Sequence, residues 1–183
     1  GGPYHSGCIE SSITAIRGIK VCYPSNAADL KGLLKGAFYD PNPVVMFEHK
    51  GLYWSKVPGT DEAKTIEPDE DYILPLGKAR IVQESDLATT DTLTVITYGM
   101  GVYWAKNASK GLEGKVEIVD LRTIAPLDEE TVFNSVKKNN KCIVLTEEPY
   151  NNSFAQALAG RIAQHCFQHL DAPIVRCASL DTP

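Results

Sequence analysis

Three features of this 183-residue chain predict a three-layer α/β sandwich, a parallel sheet covered by helices on both faces. In the second half, short apolar runs alternate with segments of helical spacing, and crossovers of that length are right-handed and join parallel strands. The run Val116, Ile118, Val119 is β-branched and closes in Asp120-Leu121-Arg122-Thr123, which puts charge where a parallel strand reaches its carboxyl end. Pro126 then breaks the backbone, and Asp128 caps a helix that is acidic at its start (Glu129, Glu130) and basic at its end (Lys137, Lys138).

The elements follow in order. A short strand at Ile19–Tyr23 leads through Pro24-Ser25 into a helix with Ala27, Leu30, Leu33, Leu34, Ala37 and Phe38 on one face. Asp40-Pro41 ends that helix, and Val44–Phe47 reads as a buried strand closed by Glu48-His49-Lys50. A strand, a helix and a strand are too few to complete a sheet. Residues 55–72 change texture, with Pro58, Gly59, Pro68 and many acids but little periodicity, so they read as an exposed linker between a segment 1–54 and a domain 73–183. An extended arm at 73–82 precedes strands at Leu93–Thr97, Val116–Asp120, Cys142–Thr146 and Ile174–Cys177, with helices near 101–112, 128–138 and 153–167. The last helix carries Phe154, Leu158 and Ile162 in an i, i+4, i+8 stripe flanked by Ala155, Ala159 and Ala163, the pattern of a helix lying close on a sheet.

Composition narrows the function classes. The net charge of −5 comes from 18 basic and 23 acidic residues without a basic stripe, which argues against nucleic acid or an anionic membrane as the main partner. No apolar run approaches the ~20 residues that span a bilayer. Cys8, Cys22, Cys142, Cys166 and Cys177 are scattered, odd in number and never in a CxxC pair, so neither a disulfide framework nor a zinc site is indicated and a reducing compartment is expected. The sequons at Asn107 and Asn151 read as chance. Opening on Gly-Gly-Pro without Met, the chain reads as a piece of a longer polypeptide.

Among groups able to do chemistry, His5 comes first, because a Gly-Pro loop displays a side chain rather than burying it and an imidazole there can donate a proton near neutral pH. Spacing alone favours a surface histidine without a role. His165 and His169 stand i, i+4 on a helix but lack a third ligand, so a solvated helix end is the simpler reading; His49 is weaker still. Glu147-Glu148 follows a strand and reads either as an acid pair or as a charged loop. Gly99-Met100-Gly101 sits between a strand and a helix without the third glycine of a phosphate-binding turn.

Several segments taken together carry more. GGPYHS (1–6), IKVCYPSNAADLKGLLKGAFYDPNPVVMFEHKGLYW (19–54), ILPLGKARIV (73–82), TVITYG (94–99), VEIVDLRTIAPLDEET (116–131) and LDAPIVR (170–176) resemble, in order and over nearly the whole chain, the β subunit of thiamine-diphosphate-dependent 2-oxoacid dehydrogenase E1 components of the pyruvate, branched-chain and acetoin type. The resemblance implies that 1–54 is the C-terminal part of a pyrimidine-binding domain and 73–183 a transketolase C-terminal domain. It further implies oxidative decarboxylation of a 2-oxoacid with acyl transfer to lipoyl-E2, and the partners E1 α (as a subunit or a fused region), a second β subunit and the E2 acyltransferase. The location would be the cytoplasm, or the mitochondrial matrix in a eukaryote.

On the matching positions, His5 corresponds to the family's active-site histidine in a PYHSQ-like motif, with the implied role of orienting or protonating during transfer to the lipoyl disulfide. The carbonyls of Ala37, Asp40 and Asn42 match a loop that holds a structural K⁺ in some members. The thiamine diphosphate and Mg²⁺ contacts are expected mainly on parts outside this sequence, so the isolated piece is expected to be inactive. Departures from the pattern include Gly7 where Gln is usual and Thr146-Glu147-Glu148-Pro149 in place of His-Glu-Ala-Pro. Other readings of the same residues are a transketolase or deoxyxylulose-phosphate synthase domain, and a non-catalytic module for assembly and E2 docking.

Overall fold

The computed structural model describes residues 7–181 and arranges their strands in two sheets that share one core. A one-turn helix α1 (Glu10–Thr14), which sequence spacing does not reveal, precedes strand β1 (Lys20–Cys22). Helix α2 (Ala27–Phe38) starts where the sequence places it, because the Asn26 side chain accepts a hydrogen bond from the Asp29 amide at 2.9 Å. It crosses to β2 (Val44–Met46), which pairs in parallel with β1 so that Val21 faces Val45.

The larger sheet contains β3 (Arg80–Gln83), β4 (Leu93–Thr97), β5 (Val116–Asp120), β7 (Cys142–Pro149) and β8 (Val175–Ser179) in the order β3-β5-β4-β7-β8. Helices α3 (Gly101–Ala108), α4 (Glu129–Asn139) and α5 (Phe154–Cys166) connect these strands. Register sorts the side chains into two faces, since partners across parallel strands share a face and neighbours along a strand alternate. Ile96, Val119 and Val144 lie abreast and join the core with Val132, Val136, Leu158 and Ile162 of α4 and α5. Val95, Ile118 and Ile143, one residue back, pack with Ala105 of α3. Helices therefore cover both faces, which makes the three layers.

Two features depart from the sequence reading. The sheet is mixed: β3 runs antiparallel to β5, with Arg80 opposite Asp120. No crossover helix delivers the chain into β3, so nothing fixes its direction, and an edge position accepts either one. Residues 121–127, where the sequence predicts no strand, contain β6 (Thr123–Ala125), which pairs antiparallel with β1 and completes a sheet in the order β2-β1-β6. Three residues are too short to show a period; the N-terminal unit supplies the partner that makes them a strand.

The segment 55–72 is also less exposed than its composition suggests. Thr60 and Ala63 are buried, Ala63 against Met100, Val102 and Tyr103, and Lys31 of α2 donates to the Glu67 carboxylate and the Pro68 carbonyl. Beyond it, the arm meets α2 where the Leu74 amide donates to the Gly32 carbonyl. No helix among the described residues is long and apolar enough to cross a membrane.

Candidate active site

In open α/β folds, ligand chemistry gathers outside the carboxyl ends of the strands. Here β1 runs into Tyr23, β2 into Phe47-Glu48-His49, β4 into Tyr98, and the end of β7 carries Glu147 and Glu148. Tyr23 stacks on Phe47 with ring centroids 5.5 Å apart and leans on Tyr98 at 5.1 Å, while Tyr98 meets the edge of Phe154 at 6.0 Å. This row of four rings joins the strand ends of the two sheets.

Carboxylates surround the rings. Glu148 is fully buried and bridges two helix starts, one oxygen accepting from the Ser11 amide of α1 at 2.9 Å and the other from the Phe154 amide of α5 at 2.8 Å. Glu10 is also buried, and its Oε2 has no hydrogen-bond partner among the described residues. Burial pushes its carboxyl up to about 7, with the charges of Glu148 and Glu147 adding to the effect. The same surroundings raise the Cys8 thiol to about 12 and lift the Tyr98 and Tyr23 hydroxyls well above a free phenol, in each case mainly through burial. The Tyr98 hydroxyl, Thr97 Oγ1 and Thr146 Oγ1 are buried without hydrogen-bond partners among the described residues. At the edge of the cluster, His49 accepts from the Gly51 amide through Nδ1 at 3.1 Å, which leaves Nε2 to donate to Glu147 at 3.2 Å.

Linkage gives this acid cluster a measurable consequence. Between the free-glutamate value of 4.5 and about 7, folded Glu10 holds a proton that the unfolded chain has released. Its contribution to stability is therefore full below pH 4.5 and is lost as pH rises through 7. The change amounts to at most about 3 kcal/mol, since every pH unit separating the folded and unfolded values is worth about 1.4 kcal/mol. Glu10→Gln is expected to abolish this decline, so that urea midpoints of the variant and wild type diverge in the variant's favour between pH 5 and pH 8. Parallel profiles would show that Glu10 is ionised throughout.

On the other side of β1 a second buried network locks α2 to the larger sheet. Arg122 grips Asp29 through two bonds, Nε to Oδ2 at 3.0 Å and a terminal nitrogen to Oδ1 at 2.9 Å, with Arg80 a further 3.6 Å from Oδ2. The Ser25 hydroxyl donates to Asp120, and Tyr103 donates to the Ser25 carbonyl at 2.7 Å. Burial lifts Asp120 to about 6, and the negative charge of Asp29 adds to the effect. Asp120 and Arg122 close β5 in the sequence as surface charge would; in the fold Asp120 is interior and Arg122, half-buried, turns inward onto Asp29.

Between these networks lies a cleft of about 160 Å³ walled by Pro24–Ala27, Leu30, Glu48, His49, Leu52–Trp54, Ala63 and Lys64. Among the described residues, Lys64 is the one lysine or arginine in this lining. Among the described residues, too, no group of three or more His, Cys, Asp or Glu is placed to hold a metal.

The residues singled out by sequence fall as follows. His5 lies outside the described residues. Ala37, Asp40 and Asn42 sit at the end of α2: the Ala37 carbonyl accepts from the Asp40 amide at 3.2 Å, and the Asp40 carboxylate, held down to about 2 chiefly by Lys20, also accepts from the Asn42 amide. His165 is exposed and stacks on Phe133 at 4.9 Å, and His169 is a neighbouring exposed residue, as a solvated helix end requires. Glu147-Glu148 is no charged loop: both lie in β7, and Glu148 is interior. The glycines of Gly99-Met100-Gly101 answer to packing, since Gly99 has φ +54 against the Tyr23 ring and a Cβ on Gly101 would come within 1.9 Å of Thr97 Oγ1. Sequence reasoning missed Glu10, Tyr98 and Asp29; nothing in their spacing separates a buried acid or phenol from an exposed one.

A βαβ unit completed by a strand from a five-stranded α/β domain, with acids at the strand ends, defines a protein of transketolase-like architecture. The structure described as "Split gene transketolase, inactive beta4 tetramer" superposes with a TM-score of 0.70 over 97% of this chain and 54% of that one, at 16% identity, which shows the fold. Residues 77–183 match the model of the transketolase C-terminal domain, and residues 1–55 match that of the transketolase pyrimidine-binding domain. The chain belongs to the transketolase C-terminal domain family. It is 39% identical to the 2-oxoisovalerate dehydrogenase subunit beta of Bacillus subtilis (strain 168), over 100% of this chain and 53% of that protein. It is 40% identical to the pyruvate dehydrogenase E1 component subunit beta of Rhizobium meliloti (strain 1021), over 98% of this chain and 37% of that protein. The mitochondrial 2-oxoisovalerate dehydrogenase subunit beta of Dictyostelium discoideum is 39% identical over 100% of this chain and 47% of its own length. The chain thus spans about half, or less, of the relatives it matches.

Proposed function

We propose that this chain forms part of the E1 component of a 2-oxoacid dehydrogenase complex, with 1–54 belonging to a pyrimidine-binding domain, 55–72 a linker and 73–183 the C-terminal domain. The observation that carries this reading is identity near 40%, over the whole of this chain, to β subunits of the branched-chain and pyruvate enzymes. The site supports it: a short PYHS-bearing segment leads directly into α1, whose start is anchored on the acid cluster at the strand ends. The cofactor is thiamine diphosphate, which supplies the nucleophilic carbon and the electron sink for decarboxylation when bound. Its diphosphate and Mg²⁺ are assigned to an α subunit or region, as the resemblance to E1 β subunits implies.

The contribution of this chain is to wall the site and, through His5, to orient the lipoyl group and donate a proton during acyl transfer. The partners are E1 α, a second β subunit and lipoyl-E2, in the cytoplasm or the mitochondrial matrix. A structural K⁺ at Ala37, Asp40 and Asn42 belongs to the same reading. It would take main-chain oxygens at the end of α2 as ligands, as a hard cation prefers.

The test uses the complete protein assembled with its α partner. Thiamine-diphosphate-dependent turnover of pyruvate or a branched-chain 2-oxoacid is expected, both with an artificial electron acceptor and with a lipoyl domain. Ketol transfer between sugar phosphates without 2-oxoacid turnover would replace this reading by the transketolase one. Assembly with E2 but no turnover of any kind would leave a docking module.

A further inference from the structure

Helix α1 is held in the fold by very little. It has five residues, far below the length that sustains a helix in water, and its N-cap Ile9 makes no side-chain cap. It lies against β1 and α5, yet toward α5 it borders an open groove lined by Ser11, Thr14, Ala15, Ser153, Phe154 and Gln156. Ile13 packs half-buried on the core, whereas Ile9 and Ile16 on either side are exposed. Two polar anchors remain: the Ser11 amide, which donates to Glu148 at 2.9 Å, and the Glu10 carboxyl, 1% exposed and the one buried side chain of the helix.

The second anchor sits among like charges. Glu148 and Glu147 of β7 act on it electrostatically, and the Tyr98 and Tyr23 phenols, after β4 and β1, and the Cys8 thiol complete its titratable surroundings. None of the ion pairs among the described residues includes Glu10, and its Oε2 accepts no hydrogen bond there. His49, the imidazole that reaches this cluster from the end of β2, engages Glu147 instead. Burial raises the thiol and both phenols, so they stay neutral where carboxyls and imidazoles titrate. A carboxylate formed at Glu10 would have neither a cation nor water, so the group keeps its proton or moves out. Glu148 is fixed, because it belongs to β7 and its other oxygen accepts from the Phe154 amide at 2.8 Å. Glu10 is not, since one turn of helix beside an open groove opens at little cost.

We propose that α1 is a pH-operated latch at the strand ends: it stays seated while Glu10 is protonated, and ionisation of Glu10 beside Glu148 and Glu147 releases it. The device is local and independent of the reaction the complete protein catalyses. Release frees one oxygen of Glu148 and opens the groove between α1 and α5. The sign follows from a carboxyl lifted to about 7 from 4.5: seating is fully favoured below 4.5, and that preference is lost as pH rises through 7.

Hydrogen exchange on the complete protein reads the latch directly. The amides of Ser11, Ile13, Ala15 and Ile16 are all hydrogen-bonded while α1 is seated. Their protection, corrected for the intrinsic rates of free peptides, should fall by up to about a hundredfold between pH 5 and pH 8, while α5 stays protected. Glu10→Gln, neutral at every pH, should hold that protection flat. His49→Gln should leave the decline as it is in the wild type, because the imidazole is not the group that titrates against α1. Where the Glu10 variant fails to fold, the Glu10 carboxyl resonance of the wild type takes its place and is expected to titrate near 7. Four results would overturn the latch: protection flat with pH in the wild type, a decline unchanged in Glu10→Gln, a decline abolished in His49→Gln, or a Glu10 carboxyl titrating near 4.5.

Discussion

If the chain serves E1 as proposed, His5→Ala in the complete protein is expected to slow acyl transfer to a lipoyl domain by about 10²–10⁴-fold, while turnover with an artificial electron acceptor falls far less. The asymmetry follows from where protons are needed. In the proposed transfer, one sulfur of the lipoyl disulfide would take the acyl group as the S–S bond breaks, and the other sulfur would leave as a thiolate. An imidazolium placed beside that sulfur delivers the proton it needs, and alanine cannot. An artificial acceptor takes electrons without any sulfur to protonate, so its reduction bypasses this step. The comparison is made on one preparation, with both rates referred to the same wild-type sample. Equal losses would remove His5 from the transfer step, and no loss in either assay would return it to a surface histidine. His5→Gln separates charge from hydrogen bonding: it can still orient a group but cannot deliver a proton in the same way, so it should resemble the alanine variant if protonation is the role.

Arg122→Met is expected to destabilise the fold by about 3 kcal/mol, the lower end of what breaking a buried ion pair costs. The methionine fills much of the same volume but leaves the Asp29 carboxylate, 1% exposed, without its two-pronged partner. Two groups keep the loss from being larger: Asn26 still donates to Asp29 at 2.8 Å, and Arg80 stands 3.6 Å away. The position already carries a left-handed backbone, φ +57, in both variant and wild type, so that contribution cancels. Urea denaturation should show the loss as a lower midpoint. Replacing the pair together, Arg122→Met with Asp29→Leu, should recover most of it, since no buried charge then lacks a partner. A single variant costing less than about 1 kcal/mol, or a double variant costing the sum of two singles, would show that Asp29 and Arg122 are not coupled.

Much of the architecture is legible in the sequence because it rests on local periodicity. Strand β4, helix α2 and strand β5 lie where the apolar spacing puts them, and α4 begins at its Asp128 cap. Helix α3 stops at Ala108, short of the expected 112, because the chain turns through Ser109–Gly111, where Gly111 has φ +80. Strand β6 leaves no local trace, since three residues gain strand character only by pairing with β1, about a hundred positions earlier, where Cys22 faces Thr123. The direction of β3 is equally hidden, as no crossover helix constrains an edge strand.

For the site, the division has a physical cause. Sequence by itself determined the alternation of strand and helix, the positions of strand ends where polar residues gather, and a family resemblance carried by motifs in a fixed order. These are properties of residues near one another in the chain or of their order along it. Only the tertiary structure decided that Glu148 is an interior double cap, that Glu10 is a buried acid titrating near 7, and that Asp120 and Arg122 face inward to meet Ser25 and Asp29. Burial and ion pairing depend on which distant segments meet, and a charged residue reads the same in sequence whether water or another strand lies beyond it.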